Sequence, residues 1–136
     1  MTGPEAFVKR LVTAVNGHDV EALVDCFAED YVNTTPVHPA RGFVGREQVR
    51  RNWSSIFGGV PDLTARVTAT AVDGDDVWSE WEMDGHRRDG LKHQMRGIVV
   101  FTTRDGRASA ARFFLEPLDT GDADIRAVIS TQLGQP

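Results

Sequence analysis

The chain is predicted to be an α+β protein in which N-terminal helices pack on a strongly curved antiparallel sheet. Three observations carry this expectation. Apolar residues recur at helical spacing through the early part of the sequence. From Pro61 onward the period changes to two, the spacing of half-buried strands. Helices therefore come first and strands later, an order that favours α+β over alternating βαβ units. At 136 residues the whole chain, 1–136, fits the size of one domain.

The first helix is expected to open at Pro4, with Phe7, Leu11, Ala14 and Val15 on its buried face. Asn16-Gly17-His18 breaks it, and Asp19 is a good N-cap for a second helix with Val20, Leu23, Val24 and Phe27 buried. A short extended piece, Tyr31 to Thr35, follows. Pro36 to Gly45 reads as a loop. A third helix runs from about Arg46 to Phe57, with Val49, Trp53, Ile56 and Phe57 on one side. Four strands are then expected, at about 63–71, 77–83, 93–103 and 108–115. Asp73-Gly74-Asp75, a polar loop over 84–90 and Arg104-Asp105-Gly106-Arg107 separate them. A final amphipathic segment carries Ile125, Val128 and Ile129, with Asp122 near its start.

Two-residue turns propose strand registers. A turn at Gly74-Asp75 pairs Ala69 with Glu80 and Ala71 with Trp78. One at Asp105-Gly106 pairs Val100 with Ala111, Ile98 with Phe113 and Arg96 with Leu115. If Asp84 pairs with Lys92, Glu80 lies opposite Arg96 and Glu82 opposite Gln94. One face then carries Ala65, Val67, Ala69, Ala71, Trp78, Ile98, Val100, Ala111, Phe113 and Leu115, with Glu80 and Arg96 in its middle. A one-residue slip would reverse every side chain. The opposite face shows Trp81, Met95, Val99, Phe101 and Phe114 beside Arg112 and Glu116. Helices cover only one face of a single sheet, so this second apolar face predicts a homodimer, the alternative being scattered surface apolar residues.

Composition excludes some classes. The net charge is −5 and no basic block occurs, which argues against a nucleic-acid partner. The single cysteine, Cys26, permits no internal disulfide and no Cys-based metal site. His86 and His93 flank the polar loop without a well-spaced acidic cluster, so no metal is expected. Met1 to Glu5 lacks the features of a leader, and no apolar run approaches membrane-spanning length. A cytoplasmic protein without a membrane partner is the expectation.

Glu80 and Arg96 form either a mutually satisfied buried pair or a polar centre that positions a ligand carbonyl or water. Glu82 sits at i+2 from Glu80 and either raises its pKa by repulsion or marks the wet pocket mouth. Tyr31 and Asn33, two apart on a strand, face the same way. They either hold a water or substrate oxygen or satisfy a sheet edge. His38 is a proton shuttle or a solvated loop residue. Trp53 and Trp78 are core residues or shape an apolar cavity.

Several short motifs resemble the NTF2-like superfamily, in its SnoaL-like branch. They are Asn16-Gly17-His18-Asp19, Phe27-Ala28-Glu29-Asp30-Tyr31-Val32, Gly45-Arg46-Glu47, Pro61-Asp62-Leu63, Trp81 to His86, Arg104 to Arg107, and the Phe-Leu-Glu-Pro stretch ending at Pro117. The resemblance spans nearly the whole chain and implies a cone-shaped fold. The superfamily includes isomerases, aldol-type cyclases, epoxide hydrolases, dehydratases and non-catalytic binding proteins. The position of the isomerases' carboxylate base matches Thr35, and that of the cyclases' aspartate matches Val99 or Val100. His86 is at the position of a cyclase histidine. Tyr31-Val32-Asn33 is similar to the Tyr-x-Asn pair of limonene-epoxide hydrolases. Their Asp-Arg-Asp set maps onto Glu82, Glu80 and Phe113, and Arg96 is a candidate substitute cation.

The expectation is therefore a cofactor-independent SnoaL-like protein with a pocket for a small apolar molecule. It is either an isomerase, cyclase or hydrolase, or a non-catalytic binding domain. Glu80, Glu82, Arg96, Tyr31 and Asn33 are the catalytic candidates. Thr35, His38, Trp53, Trp78, Gln94, Ile98 and Phe113 are the ligand-binding ones.

Overall fold

Residues 3–135 are described by the computed structural model; the Met1-Thr2 part of the leader argument lies outside them. Helix α1, Pro4–Asn16, opens on its proline and buries Phe7, Val8, Leu11, Ala14 and Val15. Helix α2, Val20–Asp25, is capped by Asp19, whose carboxylate accepts from Ala22 N at 3.0 Å. The break between them is tied down. Asn16 exchanges two hydrogen bonds with the Ala65 backbone, at 2.9 and 2.7 Å, as a neighbouring strand would. His18 reaches Leu63 O at 2.8 Å and stacks on Phe57. The Asn-Gly-His-Asp motif thus fixes the helices on the sheet.

Strand β1 spans Phe27–Thr34, a 3₁₀ turn Pro39–Arg41 follows, and β2 is Phe43–Val44. Helix α3, Arg46–Gly59, precedes β3, Thr64–Asp73, and β4, Asp76–His86. Strands β5, Lys92–Arg104, and β6, Arg107–Pro117, form the last hairpin. Helix α4, Ile125–Gln132, is capped by Asp124. The six strands make one curved, unclosed sheet in the order β2-β1-β6-β5-β4-β3. Every pair is antiparallel except β1 with β6. The expected fold class is the observed one. Among the described residues, no helix is long and apolar enough to cross a membrane.

Helices α1 to α3 cover one face. The core joins Phe7, Leu11 and Val15 of α1 to Val77, Trp81 and Met83 of β4, Val99 and Phe101 of β5, and Ala111 of β6. Trp81, Phe7 and Phe101 are fully buried, and each such side chain contributes roughly 1.5–3 kcal/mol through burial. A polar chain at the centre is satisfied. Trp81 Nε1 donates to Ser79 Oγ at 2.8 Å, which donates to Val99 O at 2.7 Å.

The registers correct the sequence reading in three places. Ala69 does pair with Glu80 and Ala71 with Trp78, but a bulge at Thr68 puts Ala65 and Val67 on the inner face and Ala69 and Ala71 on the outer. A second irregularity, near Ser109, pairs Val100 with Arg112, Ile98 with Phe114 and Val99 with Phe113. Strand β4 also runs on to His86, which pairs with Lys92. Glu80 therefore faces Ile98, Glu82 faces Arg96 and Asp84 faces Gln94. Phe113 and Leu115 look inward as expected. Trp78, Ile98, Val100, Glu80 and Arg96 look outward, while Trp81, Met95, Val99 and Phe101 look inward.

Gly97 has φ +150, and a Cβ there would run into the carbonyl oxygen of Phe114 on β6. The close approach of β5 and β6 at this point depends on glycine.

Candidate functional site

A cavity of about 300 Å³ opens between α3, the 3₁₀ turn and the inner sheet face. Its apolar wall comes from Phe27, Phe43 and Trp53 on one side and Met83, Met95 and Phe113 on the other. Helix α3 contributes Val49, Asn52, Trp53 and Ile56, spaced at i, i+3, i+4 and i+7 and hence on one face. The polar lining consists of Tyr31, Asn33, Thr35, Arg41, Asn52 and His93. No aspartate or glutamate is among the described lining residues.

Tyr31 is 1% exposed, and its hydroxyl donates to Asn33 Oδ1 at 2.7 Å. Burial pushes the Tyr31 phenol far above its usual range, so it remains a donor. Strand periodicity puts both side chains on one face, as their spacing predicted, and that face is the one that lines the cavity. Asn52 is held similarly, with Gln48 Nε2 donating to its Oδ1 at 2.7 Å one turn away on α3.

The charged candidates lie elsewhere. Glu80 is exposed and accepts from Thr68 Oγ1. Glu82 pairs with Arg66 and lies 3.6 Å from Arg96 Nε. Arg96 Nη2 donates to Asp84 Oδ1 at 3.0 Å, and Gln94 Nε2 donates to the same oxygen at 3.1 Å. These hydrogen bonds hold the Asp84 carboxyl below its usual range, the Gln94 bond contributing most. The expected Glu80–Arg96 pair does not form, and this outer-face network replaces it. Trp78 is also outside, 46% exposed, with the Arg112 guanidinium 5.6 Å from its ring. Ile98 shares that face. His38 is outside the lining, its Nε2 3.0 Å from Glu116 Oε1. Tyr31, Asn33, Thr35, Trp53 and Phe113 are brought together at the cavity.

Sequence reasoning missed Arg41, Asn52 and His93. The α3 spacing that exposed Trp53 and Ile56 also placed Asn52 beside them. His93 shares its face with Met95 and Val99. Arg41 sits in an irregular turn that has no periodicity to read.

The sequence matches the family model of the SnoaL-like domain over residues 8–111. The chain belongs to the SnoaL-like family of NTF2-like proteins. Solved structures share the fold. IdmH, a candidate polyketide cyclase from Streptomyces antibioticus, superposes with a TM-score of 0.71 at 22% identity, over 98% of this chain and 99% of its own. A candidate SnoaL-like polyketide cyclase from Jannaschia sp. CCS1 gives 0.69 at 21% identity, over 97% and 92%. A protein of ketosteroid isomerase-like fold from Catenulispora acidiphila DSM 44928, solved with trimethylamine, gives 0.67 at 21%, over 99% and 96%. A comparison with curated proteins finds no match.

Within this SnoaL-like chain, the positions that resemblance assigned to a base hold Thr35, in the cavity lining, and Val99 or Val100, each 1% exposed. None of these side chains accepts a proton near neutral pH. Glu82 and Glu80, which the resemblance set against two epoxide-hydrolase positions, face away from the cavity. Phe113, set against the third, lines it. Cys26 is fully buried, and burial raises its thiol pKa, which makes it a packing residue.

Proposed function

We propose that this SnoaL-like protein binds one small, largely apolar molecule in the cavity beneath α3, holding an oxygen of that molecule through the Asn33 amide. The Tyr31–Asn33 pair carries this reading. With its Oδ1 engaged by Tyr31, Asn33 keeps its Nδ2 for a guest, and no described residue hydrogen-bonds that nitrogen. A few oriented polar atoms in an apolar concavity are the usual make-up of a small-molecule site, and about 300 Å³ is at the small end of such sites.

Binding without turnover fits the lining better than acid–base catalysis by a carboxylate, because no described lining residue carries one. A second reading is cofactor-independent water- or proton-transfer chemistry. It is favoured by His93 alone, since histidine is the side-chain type that exchanges a proton near neutrality.

The test is a screen of small neutral and charged apolar molecules, followed by amide and side-chain NMR shifts. Binders should move resonances of Asn33, Trp53 and Phe113 and lose affinity in Asn33→Ala. A screen in which no compound moves these resonances would defeat the proposal. For any binder that is also converted, His93→Asn should abolish turnover while leaving binding within a few-fold. Full turnover in that variant would remove the second reading.

A further inference from the structure

Three polar groups of the cavity, Asn33, Asn52 and Arg41, are arranged to donate hydrogen bonds. Tyr31 occupies Asn33 Oδ1 and Gln48 occupies Asn52 Oδ1, each at 2.7 Å, so both amides offer their nitrogens. No described residue bonds either Nδ2. Arg41 adds a cation at the rim. Its nearest carboxylate oxygen, Glu116 Oε2, is 4.0 Å away, beyond hydrogen-bond reach. Glu116 is shared with His38, whose Nε2 lies 3.0 Å from the other oxygen. Other arginines differ: Arg96, Arg104 and Arg107 donate to carboxylates at 3.0, 2.6 and 2.9 Å. The chain carries 20 acidic residues against 15 basic ones, yet none of the acids is in the described lining.

We propose that the cavity takes a small apolar monocarboxylate, its acid group held by Arg41 and the amide nitrogens of Asn33 and Asn52, its hydrocarbon body against Trp53, Met83 and Phe113. This rests on the reading of the cavity as a binding site. A carboxylate accepts at both oxygens and donates nothing, so it matches the donors around it. The guanidinium fork suits it geometrically. An amine would set donors against donors at Arg41, Asn33 and Asn52 and leave those three unpaired, with acceptors left at Thr35 and His93. A dianion such as a phosphate monoester would bring a second charge into apolar walls with one arginine to meet it. A neutral amide satisfies the asparagines and leaves Arg41 unused.

The experiment is a titration of the full chain with 3-phenylpropanoate, 3-phenylpropanamide and 2-phenylethylamine at neutral pH, followed by side-chain NMR of Arg41, Asn33 and Asn52. The acid should bind about ten- to a hundredfold more tightly than the amide, and the amine should not bind. Arg41→Gln should bring the acid-to-amide ratio toward one. Glu116→Gln, which removes the competing carboxylate, should tighten the acid, a gain that misfolding cannot imitate. Equal binding of acid and amide by the wild-type chain would overturn the carboxylate assignment and leave the cavity reading intact. So would an acid preference unchanged in Arg41→Gln. If neither the acid nor the amide moves a cavity resonance, the carboxylate assignment is overturned; failure of the wider screen of neutral and charged molecules as well would take the cavity reading with it.

Discussion

The Tyr31 hydroxyl donates to Asn33 Oδ1 across 2.7 Å within the wall of the cavity, joining a core aromatic to a polar lining residue. Tyr31→Phe keeps the ring, which packs edge-on to Phe27. It strands an Asn33 oxygen in a residue that is 7% exposed. The expected loss is about 1–3 kcal/mol of stability, read from the denaturant midpoint, with weaker binding of any acceptor ligand. Unchanged stability and unchanged affinity would mean that the pair neither supports the wall nor orients the amide.

The face assignment of β4 is tested by Ser79 against Glu80. Ser79→Ala leaves Trp81 Nε1 without its acceptor in the core, an expected cost of about 1–3 kcal/mol. Glu80→Gln, on the exposed face, should stay within about 0.5 kcal/mol. The register expected from sequence would reverse the two results.

The element order was legible because it rests on periodicity and turn chemistry. Pro4, Asp19 and the 105–106 turn did in the fold what their residue types dictate. The inner and outer faces of the strands were not legible from the turns. A bulge adds one residue without a compositional mark, and those at Thr68 and near Ser109 each shifted the alternation. The strands themselves held the missing information. In β4 the run Val77, Ser79, Trp81, Met83 leaves Glu80, Glu82 and Asp84 together on the other side, so burying the apolar set exposes the acids. Part of the site was readable, since Tyr31, Asn33 and Trp53 follow strand and helix spacing. Arg41 was not, because its place depends on how the 3₁₀ turn folds back over the sheet.

Gly97→Ala should be among the most damaging single substitutions, because a methyl group there meets the β6 backbone at a φ of +150. A loss of several kcal/mol, or no soluble protein, is expected. Gly58→Ala, in α3 with nothing within 4 Å of the added carbon, should be neutral or stabilising by about 0.4–1 kcal/mol. Thermal unfolding of the two variants gives the comparison, and similar midpoints would refute the close approach at Gly97.

Asp62 and Asp84 make the acid limb of stability testable. Asp62 accepts from both Nδ1 and the backbone N–H of His86, at 2.7 Å each, and these bonds lower its pKa. A carboxyl whose folded pKa is depressed adds stability above its unfolded value, about 3.9. That contribution disappears as the pH falls through the folded value. The stability gap between wild type and Asp62→Asn should therefore be widest at neutral pH and close below about pH 4. A gap that stays constant over the acid range would show that the contact is not carried by charge.

The outer sheet face presents Trp78 and Phe114, 46% and 37% exposed, beside the half-buried Ile98. Its charges are largely matched already: Arg66 with Glu82, and Arg96 with Glu82 and Asp84. A partner that covered this face would bury aromatic surface without stranding a lone charge. A second copy fits, because an isologous contact sets the same mixed patch against itself. We therefore predict a homodimer through this face, with Phe114 as expected from the sequence and with Trp78 and Ile98 in place of Trp81, Met95, Val99 and Phe101. Light scattering on a sizing column should give twice the 15.0 kDa chain mass, and Phe114→Glu should return the monomer. In Trp81→Phe, quenching of the remaining tryptophans should rise on dilution as Trp78 is uncovered. A monomer at all concentrations, with Trp78 quenched throughout, would leave this face to solvent.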